Sequence, residues 1–393
     1  MADEPEPQGS SEVQEAEIVA AASALLGRPL TEPVELSGGR DEAVVLRCRD
    51  AAAGDSETAS AVAGSAVAGR TVVVKTYPRT AQGASCFAAE AAGLDVAGGS
   101  ALAPALLGAD AGLQLVVMSD LGSGRSLADV LLTGSAPEAR TAMLDWAATC
   151  GRLSIVTNAK RSAFDALTAR YLAGRPDERH LAGLPGRVLA AAQNAARIGV
   201  SAPHGLAAEL AEVAAAAAAD RYAVFSPGDI CPDNNLLTSA GVRFIDFEES
   251  GFHPAFLDAA YITMPFCTCW CVFRFPPELS AEAEAAYREP VSSVWPDLAD
   301  DTIWRPGLRR AVAAWTMSST SWLLRRSLAA DVPMNTERPS PHTRQLMRYR
   351  WQSLLAELEP ARDLPAIAAL VRSLLAATGG WHAPELPLYP AFR

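Results

Sequence analysis

The span between residues 221 and 252 constrains this chain more than any other. Its apolar runs shrink to residues 222–225, 236–237 and 242–245, separated by Pro, Gly, Asp and Asn. Runs so short, broken by turn formers, read as strands flanking loops that present polar side chains. Helical patterns surround them: residues 126–132, 136–157, 187–197 and the alanine-rich 206–221 before, and Trp- and Leu-containing helices from residue 257 onward. The chain therefore predicts a mainly helical body interrupted by one polar, loop-rich insertion of short strands.

Two of the loops carry chemistry. The first reads Pro227-Gly228-Asp229-Ile230-Cys231-Pro232-Asp233-Asn234-Asn235, and the second Ile245-Asp246-Phe247-Glu248. Asp229, Asn234 and Asp246 are oxygen acceptors on adjacent loops, the set that Mg²⁺-assisted phosphoryl transfer requires. Mg²⁺ takes hard oxygen ligands and keeps several waters, so one carboxylate and one amide oxygen suffice when phosphates complete the shell. A second carboxylate orients the hydroxyl nucleophile and accepts its proton. Taken singly, each motif reads equally as turn and strand-end residues satisfying local backbone groups.

Residues 1–120 have a different character. Asp3, Glu4, Glu6, Glu12, Glu15 and Glu17 form an acidic run without a basic residue. Residues 1–16 are expected to be a disordered, solvated tail, and the six acidic residues of the first seventeen account for half of the net charge of −12. A short helix over 17–26 ends at Gly27-Arg28-Pro29, and a strand, turn and strand follow around Gly38-Gly39. Residues 51–69, rich in Ala, Gly, Ser and Thr, read as a hairpin loop. Thr71-Val72-Val73-Val74-Lys75 is a β-branched strand, residues 84–96 a helix with Glu90 near its middle, and 113–118 another buried strand. Lysine is otherwise nearly absent: only Lys75 and Lys160 stand among 33 basic residues. A surface cation in this chain is an arginine, so a lysine following three valines points to a function that needs a compact ammonium. Asp120-Leu121-Gly122-Ser123-Gly124 then forms a hinge between a lobe over 17–120 and a lobe over 121–393.

D-x-x-x-x-N followed by I-D-F resembles the aminoglycoside phosphotransferase and choline kinase group of the protein-kinase-like superfamily. The order of Leu36-Ser37-Gly38-Gly39, the Lys75 strand, Glu90, Val116-Val117-Met118-Ser119-Asp120-Leu121 and Asp258 agrees with it, over about residues 30–265. The resemblance implies a bilobal α+β fold, with a small β-rich N-lobe and a larger, mainly helical C-lobe. It implies ATP bound between the lobes and Mg²⁺ beside it. Lys75, held by Glu90, would contact the α/β-phosphates, and backbone around Gly38 and Gly39 would approach them. Backbone from Ser119 to Leu121 would meet adenine, Asp229 would be catalytic, and Asn234 and Asp246 would hold Mg²⁺. Pro227 stands where the family commonly has a histidine, and Cys231 where small-molecule kinases often have another.

The implied activity is transfer of the ATP γ-phosphate to a hydroxyl, of an aminoglycoside-like or other small molecule, or of Ser/Thr in a peptide. A catalytically impaired pseudokinase acting as a binding module is the reading from another class. Nine arginines over 301–350 would suit an anionic or peptide acceptor if they face the site, and a lysine-poor helix surface if they do not. The seven cysteines, including Cys267, Cys269 and Cys271, read as reduced, buried thiols of a cytoplasmic protein. The C-x-C-x-C run has no second Cys or His pair at zinc-ligand spacing nearby in sequence. Neither a nucleic-acid partner nor a membrane span is expected.

Overall fold

The computed structural model describes residues 8–36, 43–52 and 71–393. They divide into two compact units. The first runs up to Gly124, and the chain returns to it over residues 162–179 and 238–249.

The first unit opens with helix α1 (Gln8–Leu26). This helix starts nine residues earlier than the expected 17 and takes in part of the acidic stretch, whose Gln, Glu and Ala residues are themselves good helix formers. Strands β1 (Leu30–Glu35), β2 (Val45–Asp50) and β3 (Thr71–Thr76), helix α2 (Ala81–Ala97), and strands β4 (Leu106–Asp110) and β5 (Leu115–Ser119) follow. The strands form one sheet in the order β1-β2-β3-β5-β4, and every neighbouring pair is antiparallel. β4 was not legible in sequence because Leu-Leu-Gly-Ala-Asp has little β propensity. It exists through pairing with β5, and Gly108 lets α1 approach, since a Cβ there would stand 3.0 Å from Leu25 side-chain atoms.

Period-2 alternation decides where Lys75 points. Val72 and Val74 face α1, in a core with Ile18, Ala22, Leu46, Cys48, Leu115 and Val117. Lys75 therefore lies on the opposite face of the central strand, in register with Val45 on β2 and Val116 on β5. Helix α2 serves that face, and Thr80 caps it by accepting from the Gly83 N–H at 3.0 Å.

Beyond residue 124 come α3 (Leu127–Thr133), α4 (Ala136–Val156), α5 (Arg161–Leu172), α6 (Leu184–Leu189), α7 (Ala191–Ala196) and α8 (Leu206–Ala217). The short strands follow as β6 (Ala223–Ser226), β7 (Asn235–Thr238), β8 (Gly241–Phe244) and β9 (Gly251–Pro254), and then α9 (Ala255–Thr263), α10 (Pro277–Val294), α11 (Asp301–Ala329), α12 (Thr343–Ala361) and α13 (Pro365–Ala377). α5 belongs almost wholly to the first unit, and so does β8. The helix expected over 187–197 is divided at Ala190, whose ψ of −7° tightens the end of α6.

In the second unit β6 pairs antiparallel with β9, with Ser226 opposite Gly251. Capping boxes at Ser126/Asp129 and Ser135/Glu138 start α3 and α4. The core is built around α11, where indole N–H groups find acceptors: Trp304 on Glu284 at 2.8 Å and Trp315 on the Leu257 carbonyl at 3.1 Å. α4 packs on α10 closely enough that a Cβ on Gly151 would lie 2.3 Å from Pro290 Cγ and 2.6 Å from the Tyr287 carbonyl oxygen.

Two glycine substitutions should then act with opposite sign. Gly151→Ala overpacks the α4–α10 contact and should lower stability by about 1–3 kcal/mol. Gly186→Ala, inside α6 with nothing within 4 Å of its added carbon, should raise it by up to about 1 kcal/mol through helix propensity. Urea-induced unfolding of both variants beside the parent checks the pair.

Candidate active site

In the first unit, Lys75 is surrounded by carboxylates. Its Nζ donates to Glu90 Oε2 at 3.1 Å, Asp246 Oδ1 at 2.8 Å and Glu248 Oε2 at 3.0 Å. Tyr77 O–H donates to the same Glu90 oxygen at 2.8 Å, and the Phe247 N–H reaches it at 3.2 Å. Glu90 is fully buried and its other oxygen, Oε1, has no partner.

One ammonium shared by three carboxylates leaves the cluster with two negative charges too many. Burial alone would lower the Lys75 pKa, but Asp246, Glu90, Tyr77 and Glu248 outweigh it and hold the ammonium well above its ordinary range. Burial pushes the Glu90 carboxyl up to about 7, against the pull of Lys75, and the charges of Asp246 and Glu248 add to the rise. Burial likewise lifts the Tyr77 phenol, with Glu90 adding to it, so Tyr77 keeps the proton it donates. Oxygen atoms of Glu90, Asp246 and Glu248 lie within 4.8 Å of one another, and the partnerless Oε1 adds a buried acceptor. That surplus of hard, negative oxygen suits a divalent cation such as Mg²⁺.

At the end of β5 the expected adenine-facing backbone is held firmly. Asp120 accepts from Arg47 Nε and Thr71 Oγ1, each at 2.7 Å, and from the Gly122 N–H at 2.9 Å. Burial would raise its pKa, but these hydrogen bonds and the Arg47 charge prevail and keep it below the usual carboxylate range. The Ser119 N–H is already engaged by the Ala105 carbonyl at 2.9 Å. Leu121, the other residue expected at the adenine edge, is partly buried beside it. Gly38 and Gly39, expected to cover the phosphates, lie outside the described residues.

The second unit holds the loop of Asp229 and Asn234. Gly228 adopts φ +85°, a conformation only glycine takes without strain, so the chain can turn out of β6 into the loop. Asp229 Oδ1 accepts from Thr268 O–H at 2.8 Å. Thr268 has a single proton, so the 2.8 Å contact between its oxygen and Tyr261 O–H has the tyrosine as donor. Asn234 Nδ2 donates to the Asp229 carbonyl at 2.9 Å, which makes its amide oxygen the atom that would meet an ion. Beneath the loop, Asp258 Oδ1 accepts from Ser226 O–H at 2.9 Å and from His253 Nε2 at 2.8 Å, while the Gly228 N–H donates to Ser226 at 3.0 Å. This brace spans position 227, where the family's histidine is absent.

The structure brings Lys75, Glu90 and Asp246 together in the first unit, and Asp229 and Asn234 together in the second. Sequence reasoning missed Tyr77, Glu248, Thr268 and Tyr261. The first two carried a signal, since each stands two residues beyond a named site residue, the spacing that returns an extended chain to the same face. Most arginines of 301–350 have local partners: Arg305 with Glu284 at 3.1 Å, Arg309 with Asp363 at 2.8 Å, Arg338 with Asp129 at 2.6 Å, and Arg348 with the Thr378 carbonyl at 2.9 Å.

Residues 51–300 match the model of the phosphotransferase enzyme family, and the chain belongs to that family. No curated protein matches it. Among solved structures it is similar to a choline/ethanolamine kinase family protein from Mesorhizobium loti, at 16% identity over 92% of this chain and 99% of the other, with a TM-score of 0.48. It is also similar to a macrolide 2'-phosphotransferase from Brachybacterium faecium, at 16% identity over 80% and 93%, TM-score 0.45. A choline kinase from Cryptosporidium parvum gives 13% identity over 88% and 92%, TM-score 0.44. The protein is a phosphotransferase of the α+β class expected from its sequence, with a smaller sheet-based unit and a larger, mainly helical one. Among the described residues no helix is long and apolar enough to cross a membrane.

The Lys75 cluster predicts a pH dependence. Glu90, with its pKa raised to about 7 from 4.5, binds a proton in the folded state that it has lost in the unfolded one. Its contribution to stability is thus fully present below about 4.5 and declines as pH rises through 7. Glu90→Gln should flatten that decline, read as the urea midpoint followed across the same pH interval.

Proposed function

We propose that this protein transfers the γ-phosphoryl group of ATP, with Mg²⁺, to a hydroxyl group of a small molecule such as an aminocyclitol or another metabolite. The observation that carries the reading is Lys75: one of two lysines in the chain, buried on the central strand and ringed by Glu90, Asp246 and Glu248. A compact ammonium fixed in this way is a phosphate contact, and the surplus carboxylate beside it is a cation site. Asp246 and Asn234 would hold Mg²⁺, which supplies neutralisation of phosphate charge when bound. Lys75, oriented by Glu90, would contact the nucleotide phosphates. The backbone at Ser119 and Leu121 would meet adenine, and backbone around Gly38 and Gly39 would approach the phosphates.

Asp229 would orient the acceptor hydroxyl and take its proton. Thr268 fixes one carboxylate oxygen, and Tyr261 fixes Thr268, so the carboxylate is held in one orientation by a short chain of donors. Four arginines of 301–350, Arg305, Arg309, Arg310 and Arg338, are each paired with a carboxylate, which takes them away from an anionic acceptor.

Three substitutions separate the roles. Asp229→Asn should lower turnover by about 10²–10⁴-fold while Mg²⁺-ATP still binds, because only the proton acceptor is removed. Lys75→Ala should weaken Mg²⁺-ATP binding by about 10–100-fold, the size of a lost hydrogen bond to a charged group. Thr268→Val should lower turnover less than Asp229→Asn and leave nucleotide affinity unchanged. ADP release against a panel of hydroxylated metabolites, with calorimetric titration of Mg²⁺-ATP, measures all three. Unchanged turnover in Asp229→Asn would overturn the assignment of the catalytic carboxylate.

A further inference from the structure

The fold gives the C-x-C-x-C run the partners that its sequence neighbourhood lacks. Cys231 Sγ, a carboxylate oxygen of Asp233 and Cys269 Sγ all lie within 4.8 Å of one another. The sulfur of Cys271 stands 3.3 Å from that of Cys269, and Asp233 Oδ1 is 4.0 Å from Cys269 Sγ. Ligand atoms around a tetrahedral zinc ion with Zn–S bonds of about 2.3 Å are separated by roughly 3.8 Å, and these spacings bracket that value. The other Asp233 oxygen, Oδ2, accepts from the Trp270 indole N–H at 2.7 Å, the kind of outer hydrogen bond that orients a metal-ligating carboxylate. Arg338 lies over the Trp270 ring, 5.0 Å from its centroid.

A second, independent observation is Arg350 on α12. Its side chain is 1% exposed, and Nε, Nη1 and Nη2 all lack hydrogen-bond partners. Cys267, Tyr261, Cys269 and Cys231 are the groups whose ionised forms would interact with it. A buried guanidinium without a counter-charge is strongly disfavoured, and as neutral thiols the neighbouring cysteines give it none.

We propose that Cys231, Asp233 and Cys269, with Cys271 as the fourth donor, bind a zinc ion that ties the loop of residues 229–234 to the segment 267–271. Each coordinating thiol releases one proton to solvent as its sulfur bonds the metal. A Zn²⁺ ion with two thiolates and one carboxylate carries a net charge of −1, and with three thiolates −2, which is the counter-charge Arg350 lacks. Thiolate donors and a buried, closed setting select zinc over Mg²⁺. Cys231 lies two residues from Asp229 and Asp233 stands next to Asn234, so the ion would stiffen the loop in which the family's histidines are replaced by Pro227 and Cys231. The site stands on its own geometry and does not depend on which reaction the protein performs.

Native mass spectrometry of the full chain supplied with zinc alone should show one zinc bound, with the mass increment reduced by one proton for each coordinating thiol. Cobalt in place of zinc should give a near-ultraviolet thiolate-to-cobalt charge-transfer band. Cys231→Ser and Cys269→Ser should lose the band and the stoichiometric zinc, while Cys150→Ser, a buried thiol outside the group, keeps both. Trp270→Phe should retain one zinc with affinity lowered about 10–100-fold. The proposal is overturned if the parent chain takes up no zinc, or if both serine variants bind it as the parent does. A parent chain two hydrogens lighter than its thiol form, with these cysteines joined as a disulfide, would overturn it equally.

Discussion

A single ammonium group sets the terms for the first unit. Lys75 sits on the middle strand of five, where both edges are paired and the opposite face is closed by Val72 and Val74 against α1. A cation there has no water to fall back on, so the unit must bring anions to it: Glu90 from α2, and Asp246 and Glu248 from the returning segment. Bringing three rather than one creates the opposite problem, an excess of negative charge. Tyr77 and the Phe247 N–H relieve part of it at Glu90, and the rest remains as a standing affinity for positive charge.

The loop of Asp229 is stabilised from two sides. Below it, Ser226, His253 and Asp258 fix the exit of β6, and Gly228 makes the turn with its left-handed backbone. Beside it, Thr268 and Tyr261 orient the carboxylate. Proline at 227 fits this arrangement, because it pre-sets one backbone angle in a segment whose other contacts already define the path. The support of the loop is thus built from α9 and from the cysteine-containing segment.

The sequence disclosed much of this, unevenly. Regular patterns were readable: the Val72-Val73-Val74 strand, the helix carrying Glu90, and the polar loops at 229–234 and 246–248. The missed elements lack intrinsic propensity or depend on distant partners. β4 is a strand only because β5 is there to pair with it, and the run 187–197 looks like one helix until its backbone tightens at Ala190. The helix α1 begins earlier than the acidic run suggested, because a cluster of charge says less about helicity than the identity of the residues bearing it. At the site, Tyr77 and Glu248 follow from strand spacing, whereas Thr268 and the company that Cys231 keeps with Cys269 are set by tertiary folding. No spacing along the chain encodes them.

The scarcity of lysine has a practical side. Of the two lysines, Lys75 is 7% exposed and committed to three carboxylates, whereas Lys160 is only partly buried. Reagents that acylate lysine side chains should therefore mark this protein at Lys160 and pass over Lys75 as long as the fold holds. The chain thus carries a natural single-lysine handle for attaching a spectroscopic probe or a surface tether, and labelling at Lys75 would report that the first unit has opened.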